Sequence, residues 1–273
     1  QVAVAGKCVL FHSSKESFCS GCTVEEGDDA GIMANKCVFT LSKFDSWDEI
    51  ELKRYLARTL ENSKKNELSP ENKTRLAETL SSILEYSAKM DDIARIVGST
   101  YAYLGQNDQA MKSFELALTL KEDDTTALNN KGVLLARSGK IKDAITCYDE
   151  VTDLDPDNEK AWFNKGKAYI RLKEPSKGSE CFKNVVEINP KNVSAWNNLG
   201  VSLRMMGKPK EAVKYYNSAL RLKKDYKWAW NNKGIALMFR RKYREAEKCF
   251  KKVLEIDPDF KEAKEGLLVC GAK

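Results

Sequence analysis

The sequence predicts an all-α protein, an α-solenoid of stacked helix pairs, preceded by a small cysteine-containing N-terminal segment with β-hairpin character. Three observations predict it. From Asp91 to Phe260 the chain divides into five blocks of 34 residues, beginning at Asp91, Thr125, Glu159, Val193 and Lys227, with no insertion or deletion. The same columns recur in each block. Glycine holds the eighth position (Gly98, Gly132, Gly166, Gly200, Gly234), alanine or glycine the twentieth, and an aromatic ring the twenty-fourth (Phe114, Tyr148, Phe182, Tyr216, Phe250). Within each block the apolar residues follow the spacing of two amphipathic helices. Self-similarity at a fixed period of this length marks a repeat array, in which a lone unit cannot bury its apolar face and stacking closes the core.

Residues 1–44 differ from the rest. Val2–Phe11 and Cys37–Leu41 are short β-prone runs around a polar, glycine-containing stretch. Cys8, His12, Cys19, Cys22 and Cys37 crowd this segment, and His12 is the only histidine of the chain. The Cys19-x2-Cys22 knuckle can place two thiolates on one tetrahedral ion, with Cys8, His12 or Cys37 completing the set. A zinc ribbon uses two such knuckles, so a structural zinc, disulfides and unligated thiols all stay open, with an iron–sulfur cluster as a remote fourth reading.

Residues 45–90 read as a helical pair, a degenerate repeat or cap. Ser46 and Glu49 form a capping box ahead of Ile50, Leu52, Leu56 and Leu60. After a polar loop, Ser69-Pro70 opens a second helix whose apolar face is Leu76, Leu80, Ile83 and Leu84. Leu76, Leu80 and Ile83 fall where a block's second helix keeps its core positions, as a degenerate terminal unit would.

Across residues 91–260 the five units are 91–124, 125–158, 159–192, 193–226 and 227–260. Positions four, seven, eight and eleven of each first helix are expected to face a neighbour. The glycine is expected to let the two helices approach, opposed by the small twentieth residue, and the ring to fill the seam to the next unit. Proline at position thirty-two (Pro156, Pro190, Pro258) is expected to stop the second helix. Residues 261–273, with Ala263, Leu267 and Leu268, read as a C-terminal capping helix.

These columns resemble the tetratricopeptide repeat, whose pattern runs Trp, Leu-Gly, Tyr, then Ala, Phe and Pro over 34 residues. Tryptophan stands at the fourth position in three units (Trp162, Trp196, Trp230), and lysine replaces the family's leucine at Lys131, Lys165 and Lys233. The resemblance implies a right-handed superhelix, and an interaction scaffold that binds a protein or peptide partner along its concave face.

Positions two, six, nine and thirteen of a first helix form one stripe. The sixth column is an asparagine ladder, Asn130, Asn164, Asn198 and Asn232. An amide offers donors and an acceptor, so it can pair with the backbone of an extended peptide whatever its side chains, or with a neighbouring repeat's backbone. Lys160, Lys167 and Arg171, with Arg137 beside them, make the middle of the stripe basic, which suits a partner with an acidic segment. Trp228 and Phe239 offer a hydrophobic anchor point unless the C-terminal helix covers them. The clamp by which chaperone-binding members hold a terminal carboxylate falls on Arg95, Ser99, Asn130, Lys160 and Asn164, where Ser99 and Asn164 depart from the pattern.

Composition narrows the function classes. A net charge of +6 over 273 residues is mild and does not point to nucleic acid. No apolar run approaches the roughly 20 residues that cross a bilayer, so no membrane partner is expected. Cys147, Cys181 and Cys249 share the twenty-third position, as small buried hydrophobes would, and free thiols favour a cytoplasmic location. The start at Gln1 rather than at methionine leaves open a removed leader or an upstream segment. No phosphate loop, nucleophile elbow or dinucleotide fingerprint occurs, so catalysis is not expected. The leading reading is a non-catalytic scaffold without cofactor, apart from the zinc reading. The alternative is an accessory subunit whose N-terminal cysteines carry zinc or redox chemistry while the repeats dock it to a larger assembly. A structural subunit whose convex surface matters most is the third.

Overall fold

The computed structural model of the chain describes residues 70–86 and 91–271, which hold α-helices and, among the described residues, no strand. The helices are α1 (Pro70–Tyr86), α2 (Asp91–Tyr103), α3 (Asn107–Leu120), α4 (Thr125–Arg137), α5 (Ile141–Leu154) and α6 (Glu159–Arg171), followed by α7 (Pro175–Ile188), α8 (Val193–Met205), α9 (Pro209–Leu222), α10 (Lys227–Phe239), α11 (Tyr243–Ile256) and α12 (Lys261–Gly271). The chain splits into two compact units, Gln1–Leu134 and Leu135–Lys273. The expected β-hairpin, the cysteine cluster, the Ser46–Glu49 capping box and the Ser69 cap lie outside the described residues.

In the first unit, Leu76, Leu80 and Ile83 of α1 are buried against Ile93, Val97, Tyr101 and Phe114. The Tyr101 hydroxyl reaches back to α1, donating to Ala77 O at 2.9 Å and lying 2.8 Å from Ser81 Oγ. An apolar face at helical spacing and one buried phenol therefore join α1 to the first repeat.

In the second unit each helix packs on the next from α5 to α12. Alternate helices also touch, α8 with α10 and α10 with α12. The ring at position twenty-four is buried against the glycine of its own repeat. An added Cβ would lie 2.8 Å from the Phe182 ring at Gly166, 2.5 Å from the Tyr216 ring at Gly200 and 2.7 Å from the Phe250 ring at Gly234. The glycine column therefore makes room for that ring. The small twentieth position supports the same approach, with an added Cβ at Gly178 falling 3.2 Å from the Gly166 carbonyl oxygen. The ring's other side meets the next unit, as expected: Tyr216 clusters with Ala236, and Phe250 with Ala263 of α12.

Position three completes the seam between repeats. It is alanine in four successive blocks (Ala127, Ala161, Ala195, Ala229) and again at Ala263, all fully buried. Ala195 packs with Val185 of the repeat before it, and Ala229 with Ala219. A methyl group at this spot lets consecutive helices approach while still removing apolar surface from water, at about 25 cal/mol per Å². The tryptophans lock the same junction. The indole N–H of Trp162 donates to Pro156 O at 2.7 Å, that of Trp196 to Pro190 O at 2.8 Å, and that of Trp230 to Lys224 O at 2.8 Å.

The ends of the helices follow from the same columns. Three first helices are capped by position thirty-four: Asp124 Oδ1 accepts from Ala127 N at 3.0 Å, Asn158 Oδ1 from Ala161 N at 3.1 Å and Asn192 Oδ1 from Ala195 N at 2.8 Å, whereas Tyr226 gives α10 no side-chain cap. Second helices start without a side-chain cap, at Gln106, Lys140, Glu174, Lys208 and Lys242. Proline is not what stops them. Helices α3 and α9 end at Leu120 and Leu222, the same position as in the proline-bearing blocks, with Glu122 and Lys224 in proline's place. The turn inside each repeat requires a left-handed residue, supplied by Gly105, Gly139 and Gly207 but by Lys173 (φ 60°) and Arg241 (φ 58°) in the other two.

Candidate functional site

The stripe of the first helices stays accessible in the second unit. Lys160, Lys167 and Arg171 of α6 are exposed, as is Arg137 at the end of α4, while Asn164, Asn198 and Asn232 are half-buried. Asn232 Nδ2 donates to Asn197 Oδ1 of the preceding repeat at 3.0 Å, and Asn197 Nδ2 lies 3.5 Å from Asn198 Oδ1. In the first unit Asn130 Nδ2 donates to Ser99 Oγ at 3.3 Å. The ladder thus spends part of its hydrogen-bonding capacity on nearby side chains, two of them in the neighbouring repeat. An amide carries two N–H donors and two acceptor lone pairs, so one such bond leaves capacity for a ligand.

The basic residues differ in how they are held. Arg171 Nη1 donates to Ala136 O at 2.5 Å, a carbonyl in the last turn of α4, where a cation also suits the helix dipole. Lys167 Nζ lies 5.8 Å from the Phe163 ring centroid. Arg95, a residue of the chaperone-type clamp, is engaged by Asp92 at 2.6 Å and Asp124 at 2.9 Å. Its guanidinium is therefore committed within the first unit.

Trp228 and Phe239 of α10 are 47% and 69% exposed. Trp228 rests edge-on against Phe260 with ring centroids 5.0 Å apart, and Lys227 Nζ lies 5.6 Å from the Trp228 centroid. Helix α12 leaves both Trp228 and Phe239 open to solvent. A half-exposed ring fixed by another ring is preorganised to receive an apolar side chain.

Two columns escape a reading by spacing alone. Position five carries Asn129, Asn197 and Asn231, all buried, next to the half-buried ladder. The lysines at position seven extend their stems through the repeat: Lys165 Nζ meets Asp149 Oδ1 at 2.7 Å and lies 4.4 Å from the Trp162 centroid, and Lys233 Nζ lies 5.0 Å from the Trp230 centroid. A lysine stem buries apolar surface much as leucine does, with its charge delivered to a carboxylate or a ring.

Cys147, Cys181, Cys249 and Cys270 are buried, and no disulfide joins them among the described residues. Burial pushes the Cys181 and Cys249 thiols up to about 11, which keeps them protonated and unreactive near neutrality. Cys8, His12, Cys19, Cys22 and Cys37 lie outside the described residues. Among the described residues no helix is long and apolar enough to cross a membrane.

Family models for the tetratricopeptide repeat match residues 193–226 and 228–260, and 96–124 and 159–192, and a TPR repeat model matches 134–173. Together they cover more than half of the chain. The chain belongs to the tetratricopeptide repeat family. Solved structures similar to it have the same fold. YrrB, described as a TPR protein with an unusual peptide-binding site, aligns with a TM-score of 0.58 at 18% identity, over 69% of this chain and 97% of that one. MamA from Desulfovibrio magneticus RS-1 aligns with a TM-score of 0.59 at 19% identity, over 63% and 97%. Pseudomonas aeruginosa pilF gives 0.63 at 16% identity, over 79% and 96%. Nothing among curated protein sequences matches the chain significantly. As a tetratricopeptide repeat protein it is a protein–protein interaction scaffold.

Proposed function

We propose that the chain is a non-catalytic scaffold that binds an extended peptide segment of a protein partner in the groove lined by its first helices. The observation that carries this reading is the accessible stripe itself. Amide side chains at Asn164, Asn198 and Asn232 recur once per repeat, with Lys160, Lys167 and Arg171 at one end and the exposed rings of Trp228 and Phe239 at the other. Such a stripe favours a segment with carboxylates toward the middle of the array and an apolar residue toward its C-terminal repeats. The amides serve any backbone, the cations select charge, and a fixed ring supplies an apolar anchor at the C-terminal end of the stripe.

The test is a peptide library displayed on a solid support and probed with the purified chain. Retained peptides should be enriched in Asp and Glu at one end and in large apolar residues at the other. Asn164→Ala with Asn198→Ala should weaken capture at least tenfold without changing the helical content. Retention without sequence bias, or capture unaltered by the double substitution, would defeat the groove reading.

A further inference from the structure

The positive charge of the chain is concentrated. Residues 204–252 hold sixteen lysines and arginines against four acidic residues, although the whole chain is only +6. Much of this charge gathers where α8 turns into α9 and α10 into α11, equivalent turns of adjacent repeats. Lys208, Lys210, Lys214, Arg241, Arg244 and Lys248 are all exposed there, and no ion pair engages them among the described residues. The acids on this edge are Glu211 and Glu245, and Glu245 is taken by Lys242. The apolar side chains that end α8 and α10 stand beside the cations: Met205 is 41% and Phe239 69% exposed. Arg241 also holds a left-handed backbone at a position where Gly139 and Gly207 serve other repeats.

We propose that this turn edge is a docking surface for an anionic lipid bilayer, with Phe239 and Met205 entering the interface and the cations of both turns facing the headgroups. Unpaired cations around protruding apolar side chains match the two signals that hold a peripheral protein on a charged membrane. The expectation of no membrane partner rested on the lack of a spanning segment, which docking of this kind does not need. A stack of bases would instead require several exposed rings along the edge, and here only Phe239 protrudes. The groove stripe and this edge share only the thirteenth-position side chains Met205 and Phe239, so the two surfaces can be tested separately.

The experiment is co-sedimentation of the full chain with vesicles of phosphatidylcholine, or of phosphatidylcholine containing roughly one third phosphatidylserine. The expected result is binding to the anionic vesicles, little to the neutral ones, and release at ~0.5 M salt. Each cation at the surface contributes on the order of fivefold to partitioning, so Arg241→Gly with Arg244→Gln should weaken binding at least tenfold. The glycine substitution relieves the turn, so that variant should melt no lower than the parent. Phe239→Ser should weaken binding several-fold, whereas Asn164→Ala with Asn198→Ala should bind vesicles as the parent does. Absence of binding to anionic vesicles, equal binding to neutral ones, or full binding by the Arg241→Gly, Arg244→Gln variant would overturn the proposal. Capture of a single-stranded RNA oligonucleotide in place of vesicles would overturn it in favour of nucleic acid.

Discussion

Replacing Gly200 with alanine would place a methyl carbon 2.5 Å from Tyr216 Cε1, 2.8 Å from Cδ1 and 3.0 Å from Cζ. Tyr216 is fully buried, so its ring has no open space into which to retreat. Overpacking of a filled core costs about 1–3 kcal/mol. Alanine returns about 1 kcal/mol through its better helix propensity. A 2.5 Å approach to a fully buried ring places the cost in the upper part of that range, about 2–3 kcal/mol, so the net expected loss is about 1–2 kcal/mol, read by urea unfolding followed by circular dichroism. A double-mutant cycle identifies the cause. Tyr216→Leu removes the far ring atoms, so Gly200→Ala should cost less in that background, with a coupling of about 1 kcal/mol. Undiminished stability of Gly200→Ala, or costs that simply add in the double variant, would refute the assignment of the glycine column to the ring.

Lys173→Gly should stabilise the chain by about 0.5–1 kcal/mol, because a left-handed lysine is strained and the gain exceeds the entropic cost of glycine; a raised melting temperature checks it. The Cys181 and Cys249 thiols, pushed up from 9.0 to about 11 by burial, hold their protons in the fold to higher pH than in the unfolded chain. Their stabilisation is complete below the unfolded value and is lost as pH rises toward the folded one, at about 1.4 kcal/mol per pH unit for each thiol. Urea midpoints measured across that window should fall accordingly, and a thiol reagent at neutral pH should label these two residues only on unfolding. Lys165→Leu should keep the repeat folded while removing the 2.7 Å pair with Asp149, changing stability by less than about 1 kcal/mol. For the N-terminal segment, elemental analysis below ~0.2 zinc per chain would dispose of zinc held by Cys8, His12, Cys19, Cys22 and Cys37.

The period, the glycine column and the aromatic column are legible because a fixed register exposes them directly. Their pairing is only half legible: the sequence shows that glycine and ring recur together, while only the packing shows that Gly200 makes room for Tyr216 of its own repeat. The alanines at position three carry little hydrophobic signal, since their value lies in how closely they admit a neighbouring helix. Proline suggests a terminator because it is rigid, yet α3 and α9 end at the same place without it. The candidate stripe is legible from spacing, as the exposure of Lys160, Lys167, Trp228 and Phe239 agrees with it. The buried asparagines next to it are not, because a polar residue on a helix gives no sign of whether a neighbour will satisfy it. The charge asymmetry can be counted along the sequence behind its mild total, but its gathering on two equivalent turns is visible only in the fold.

The tryptophan locks have a consequence for how such a chain can grow. Each indole reaches a carbonyl six residues earlier, at the same block position every time. The seam likewise joins one fixed position to another, with alanine on one side and valine or alanine on the other. A gene duplication or an unequal crossover that adds or removes a whole block therefore rejoins compatible surfaces. Length can change by inheritance without redesign of any junction, and selection remains free to rewrite the exposed stripe one repeat at a time.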